Sequence, residues 1–141
     1  MFSLWTFGIP IRGLKGYLKI ISVFEEFSQW EDFDKPKICY SETNNSSETK
    51  IAFDDKSYMT DKTCFILLTK DERTLKHIYK IMCSPVFTWF MRNKSPLLGS
   101  AGISMTKDTV DTFPMAKVSN NSWQQDYNLS TDEMAFIESQ I

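Results

Sequence analysis

The sequence predicts an α+β fold, a small mixed or antiparallel β-sheet with helices packed on it. Short β-prone runs follow Pro36, and a helical period replaces them beyond residue 69. The chain has 141 residues, 42% of them hydrophobic and 14% aromatic, enough to bury one core and too few for two independent ones. Four Trp, eleven Phe and five Tyr speak against intrinsic disorder, because aromatic burial offsets chain entropy where polar sequences cannot.

The elements follow in order. Residues 1–35 form an N-terminal segment whose apolar positions (Phe2, Leu4, Trp5, Phe7, Ile9, Ile11) are expected to pack on the domain or on a separate catalytic domain. Met1 to Pro10 lacks a basic leader and a small-residue cleavage site, so it does not read as a signal peptide. No apolar run approaches the roughly 18 residues that span a bilayer. Lys37 to Tyr40 is a short strand. Ser41 to Lys50, with Asn44-Asn45-Ser46-Ser47-Glu48, reads as a surface loop. Ile51-Ala52-Phe53 is the next strand, Asp54 to Ser57 a turn, and Cys64 to Leu68 a strand apolar on both faces and therefore buried.

Thr69 and Glu72 stand at capping-box spacing, and Leu75, Ile78, Tyr79 and Met82 recur at i, i+3, i+4 and i+7, which predicts an amphipathic helix. Lys76 and Lys80 share its other face, one turn beyond Arg73. Ser84-Pro85 is a start signal, a capping serine before a proline at the first helical position, so a second helix follows to about Arg92. Its Val86, Phe87, Trp89, Phe90 and Met91 are apolar nearly all round and belong in the core. Asn93 to Gly102 reads as a loop of small residues with two glycines. Thr106 caps a short helix carrying Val110 and Phe113 and ended by Pro114. Ser130 with Glu133 forms a capping box for a last helix with Met134, Ile137 and Ile141 on one face.

The net charge of −2 hides an asymmetry. Between Arg73 and Lys107 there is no carboxylate, while Asp108 to Ile141 holds six carboxylates against one lysine. An acid-free block gives a local positive surface that a polyanion feels within about 8 Å at physiological salt, although a solvated helix face has the same composition.

Enzymatic constellations are scarce. The single histidine, His77, sits within the first helix and reads as a satisfied or exposed side chain. The three cysteines (Cys39, Cys64, Cys83) are widely spaced among apolar neighbours and read as buried thiols of a reducing cytoplasm. No Cys-X-X-Cys, His-Glu-X-X-His or glycine-rich phosphate loop occurs, so neither a metal site nor a cofactor is expected. An acid-X-Lys triplet of metal-dependent nucleases has weak counterparts in Glu48-Thr49-Lys50 and Asp54-Asp55-Lys56, with Asp34 upstream. The stretch from Arg92 to Lys107 is the richer signal. It combines cationic donors (Arg92, Lys94, Lys107) and polar side chains (Asn93, Ser95, Ser100, Ser104) with Gly99 and Gly102, which permit close backbone approach. Cations on phosphates and polar side chains on base edges are what sequence-reading proteins use.

The order of these motifs resembles a known family. Lys37-Ile38-Cys39-Tyr40-Ser41-Glu42 is similar to the opening strand of the TaqI-like C-terminal specificity domains. Phe53-Asp54, Tyr58 and Cys64 to Leu68 resemble the turn, tyrosine and strand that follow there. Leu75 to Trp89 resembles the family's leucine-rich helix, its break (here Cys83-Ser84) and its aromatic helix. Leu98-Gly99 to Gly102 resembles its glycine loop, Thr112-Phe113-Pro114-Met115 its proline stop, and Leu129 to Ile141 its terminal helix. The resemblance spans 36–141 and implies a DNA target recognition domain of adenine-N6 methyltransferases and combined restriction–modification enzymes. It implies double-stranded DNA and a methyltransferase or endonuclease catalytic domain as partners, and no catalysis by this segment. The methyltransferase tetrapeptide Asn/Asp-Pro-Pro-Tyr/Phe does not occur, since no two prolines are adjacent. The alternative from another class is a protein-interaction module docking through the apolar N-terminal segment.

Overall fold

A computed structural model describes residues 35–45, 49–55, 64–69, 71–99 and 102–141. The N-terminal segment through residue 34, Glu48, Lys56, Tyr58 and Ser100 lie outside the described residues.

The α+β class holds, with two antiparallel sheets of three strands each among the described residues. In the first, β1 (Lys37–Ser41) lies between β3 (Ile51–Asp54) and β4 (Cys64–Leu67). Ile38 stands opposite Phe53 on one side and Leu67 on the other. Ile38, Tyr40 and Leu67 are buried, and the Tyr40 ring stacks on Phe65 at 5.4 Å. β4 departs from the expected fully buried strand. It is an edge strand among the described residues, and Phe65 and Ile66 are half-buried. Lys37 is wholly buried at the start of the central strand, its ammonium 2.8 Å from the carboxylate of Asp54, its register partner on β3. Buried charges survive when paired, so this cross-strand pair fixes the sheet register while desolvating both ions.

The polar segment after β1 is not simply a surface loop. It contains β2 (Thr43–Asn45), which pairs with β6 (Gly102–Ser104), itself paired with β5 (Leu97–Leu98). Asn44 is buried at the turn: its Nδ2 donates to the Ser41 carbonyl at 2.7 Å and its Oδ1 accepts from the Lys50 N–H at 2.7 Å. A side-chain amide that serves both ends of the connection satisfies backbone groups that burial would otherwise orphan.

The first helix packs on the first sheet, and the second packs on the first helix. α1 (Glu72–Met82) buries Leu75, Ile78, Ile81 and Met82. Its N-cap is Asp71, whose carboxylate accepts from the Thr74 N–H at 2.7 Å, rather than the expected Thr69, whose hydroxyl donates to the Asp71 carbonyl. The carboxylate suits the positive end of the helix dipole, and the Thr74 bond draws the Asp71 pKa below the usual carboxylate value. Ser84 and Pro85 start α2 (Pro85–Lys94) as read, although the Ser84 hydroxyl donates back to the Ile81 carbonyl instead of capping. Cys83, at the break, is exposed, which corrects the buried-thiol reading for that residue. Val86, Phe87, Trp89, Phe90 and Met91 fill the core as expected. Phe113, just beyond α3 (Lys107–Asp111), meets Phe87 at 5.0 Å, Phe90 at 5.1 Å and Tyr127 at 5.8 Å. The Phe87 and Phe90 contacts are edge-to-face, and rings of this kind add about 0.5–1.5 kcal/mol per pair beyond area burial. Two capping boxes, Ser122 with Gln125 and Ser130 with Glu133, start α4 (Trp123–Asp126) and α5 (Thr131–Ser139). On α5 Ile137 is buried and Met134 half-buried, while Ile141 is exposed, so the apolar face is shorter than expected. No helix of the described residues is long and apolar enough to cross a membrane.

Candidate nucleic-acid interface

The stretch from Arg92 to Lys107 is the last turn of α2, a β-hairpin and the first residue of α3. The hairpin corrects the loop reading of Asn93 to Gly102. Proline at 96 and two glycines mask its short strands in the sequence, and pairing of β6 with β2 makes them. Gly99 leaves β5 at φ +65°, where an L side chain is strained. At Gly102 a Cβ would stand 2.6 Å from the Leu98 carbonyl oxygen, so only glycine lets the strands approach this closely.

The candidate side chains have different fates. Arg92 is half-buried and donates to the Gln140 carbonyl, tying α2 to the end of α5. Asn93 is exposed, and one of its amide protons goes to the Trp89 carbonyl at 2.7 Å. Lys94 is exposed at the C-terminus of α2, where its charge also complements the helix dipole. Ser95 has a structural role. It is buried, caps α2 through its N–H to the Met91 carbonyl, and turns its hydroxyl to the Met91 sulfur. Ser104 is half-buried on β6, its N–H held by the Pro96 carbonyl at 2.9 Å. The Lys107 ammonium lies 2.8 Å from the Asp111 carboxylate, so engaging a phosphate requires exchange of that partner. Ser100 lies outside the described residues. Asn93 and Lys94 thus precede a glycine-built hairpin, with Ser104 on its second strand and Lys107 following it in the chain.

Sequence reasoning passed over two residues of this hairpin. Leu97 is 76% exposed and Leu98 43% exposed, a pair of leucines on an edge strand that no described residue covers. Their only sequence signal is position, two large apolar residues inside a run of small ones.

Elsewhere the chemistry is quiet. His77 is buried and its Nε2 donates to the Ala116 carbonyl at 2.8 Å, so the satisfied-histidine reading holds for that nitrogen and not for the buried Nδ1. Burial holds its imidazole below the ordinary value, with Lys80 and Arg73 adding to the effect and the Ala116 bond and Asp126 opposing it. Asp54, one carboxylate of the nuclease reading, is committed to Lys37. Among the described residues no cluster of three or more His, Cys, Asp or Glu could hold a metal ion.

No protein-family model matches the chain, and no curated protein matches it significantly.

Proposed function

We propose that the chain is a sequence-specific double-stranded DNA recognition module, the specificity domain of a restriction–modification enzyme or DNA adenine methyltransferase, acting in the cytoplasm and not catalytic by itself. The observation that carries this reading is the glycine-built hairpin set between Lys94 and Lys107 in a block of sequence without carboxylates. A narrow hairpin is a known solution for reaching base edges, and flanking cations position it on phosphates. Asn93 and Ser104, together with Ser100, are the side chains to read bases. Lys94 is the clearest phosphate donor, with Lys107 joining once it releases Asp111. The order of motifs, from the Lys37 strand to the Ser130 helix, supports the same reading.

The exposed pair Leu97 and Leu98 favours a second reading, a protein-interaction module that docks this hairpin on a catalytic partner. Salt separates the two. Lys94→Ala should weaken duplex binding nearly uniformly across sequences and flatten the plot of log K against log salt by about 0.9 for the lost phosphate. Ser104→Ala should instead alter which sequence is preferred, by about 1–3 kcal/mol at one base pair. Lys50→Ala, outside the carboxylate-free block, should do neither. Duplex binding that is independent of salt and of Lys94, with leucine variants abolishing partner capture, would favour the interaction module.

A further inference from the structure

A second cationic feature lies away from the hairpin. Arg73, Lys76 and Lys80 recur at i, i+3 and i+7 along α1, and such spacing puts side chains on one helix face. That face borders an open cleft of about 500 Å³, closed on its other side by residues 118–121, with Ser119 and Asn121 among them. Glu72 is the one carboxylate in the lining, and its pair with Lys76, 3.3 Å apart, is exposed on both sides. An exposed pair of this kind is held by about 0–1 kcal/mol, so Lys76 is readily drawn to a better partner. Arg73 is exposed and makes no salt bridge among the described residues. Lys80 donates to the Asn121 carbonyl at 2.7 Å and sits 3.7 Å from the buried carboxylate of Asp126, which fixes its ammonium at the cleft wall. His77 also lines the cleft, and its buried Nδ1 has no hydrogen-bond partner among the described residues.

We infer that this cleft is a phosphate-binding site, with Arg73 and Lys76 as its mobile donors and Lys80 as its fixed one. The shared chemistry is a phosphate group. That its source is the backbone of the duplex read by the hairpin rests on the function proposed above, and a free phosphate or mononucleotide would engage the same three cations. A fork-shaped guanidinium beside two ammonium groups matches a phosphate better than a carboxylated partner, because three oxygens can be met from different directions.

The chain carries one histidine, so the His77 ring protons give a single, assigned reporter in the wall of the cleft. The experiment follows that proton signal at neutral pH, in protein made without a histidine tag, while inorganic phosphate or a random-sequence duplex is added. Wild type should show a saturable shift, at millimolar phosphate and at far lower duplex concentration. Arg73→Gln with Lys76→Gln, both at exposed positions, should lose most of the shift, measured from the variant's own unliganded His77 signal, and lower the salt slope of duplex binding by about 0.9. A His77 signal that neither probe moves overturns the inference, as does a double variant with the wild-type shift. If Lys94→Ala weakens duplex binding and the double variant does not, the cleft fails while the recognition reading stands. If phosphate shifts the signal, the double variant abolishes that shift and the duplex has no effect, the phosphate site stands and the duplex reading fails.

Discussion

Two buried tyrosines should answer the same substitution in opposite ways. The Tyr127 hydroxyl accepts from the Ala116 N–H at 3.0 Å and donates to the Pro114 carbonyl at 2.8 Å, all within the core. Tyr127→Phe removes both bonds and leaves a buried N–H and a buried C=O with no substitute in the apolar ring cluster around Phe113. Each lost bond costs about 0.5–1.5 kcal/mol net, and each orphaned backbone group pulls the total upward, so a loss of about 2–4 kcal/mol is expected. For a chain of this length that is a fall in Tm of about 6–12 °C. Tyr40 is also buried, but its hydroxyl has no hydrogen-bond partner among the described residues, and burial together with the Asp111 charge pushes its pKa well up. Tyr40→Phe removes a desolvated hydroxyl and should be neutral or stabilising by up to about 1 kcal/mol. Urea unfolding followed by tryptophan fluorescence reads both, since Trp89 is buried in the core. Equal losses at the two positions, or a loss under about 1 kcal/mol at Tyr127, would refute this account of the 114–116 segment.

Other consequences follow from the same geometry. Because burial lowers the folded-state pKa of His77, the unfolded chain takes up its proton first as pH falls; this contribution to stability is complete above about pH 6.5 and is lost progressively below it. His77→Gln should remove that part of the slope in a urea-midpoint series between pH 7 and 5.5, and an unchanged slope would contradict it. Asp54→Ala removes the carboxylate paired with the buried Lys37 ammonium and should cost about 3–5 kcal/mol, most of it recovered when Lys37→Met is added in the same chain. Chemical denaturation of the single and double variants checks this, and a mild single variant would show that the pair is not desolvated. Gly102→Ala drives a methyl group toward the Leu98 carbonyl and should cost about 1–3 kcal/mol and weaken duplex binding; wild-type binding by a folded variant would detach the hairpin from recognition.

Features set by local chemistry were legible in the sequence. Ser84-Pro85, Thr106 and Ser130 mark helix starts because side-chain capping and a fixed proline φ act within a turn. The apolar run 86–91 reads as core because no register of a helix could expose it all. What stayed hidden depends on partners distant in sequence. Asn44 looks like loop, and its burial follows from β6 and from the Lys50 N–H. Thr69 and Asp71 both carry capping oxygens, and the chain path into α1 favours the one two residues later. Ser95 looks like a surface hydroxyl until α2 ends on it, and Arg92 looks like a phosphate donor until α5 brings Gln140 beside it. Residue types in the candidate site were therefore visible, whereas their availability was decided by tertiary contacts.

The claim that this chain reads DNA is tested most directly by selection from a randomised duplex pool at physiological salt, with wild-type protein and Lys94→Ala in parallel, and with the catalytic partner present where the module alone binds weakly. The account predicts that wild type enriches one short defined sequence over several rounds, and that Lys94→Ala enriches the same sequence with lower affinity. Bound duplexes that remain random in sequence, or a bound fraction that does not respond to salt, would contradict it.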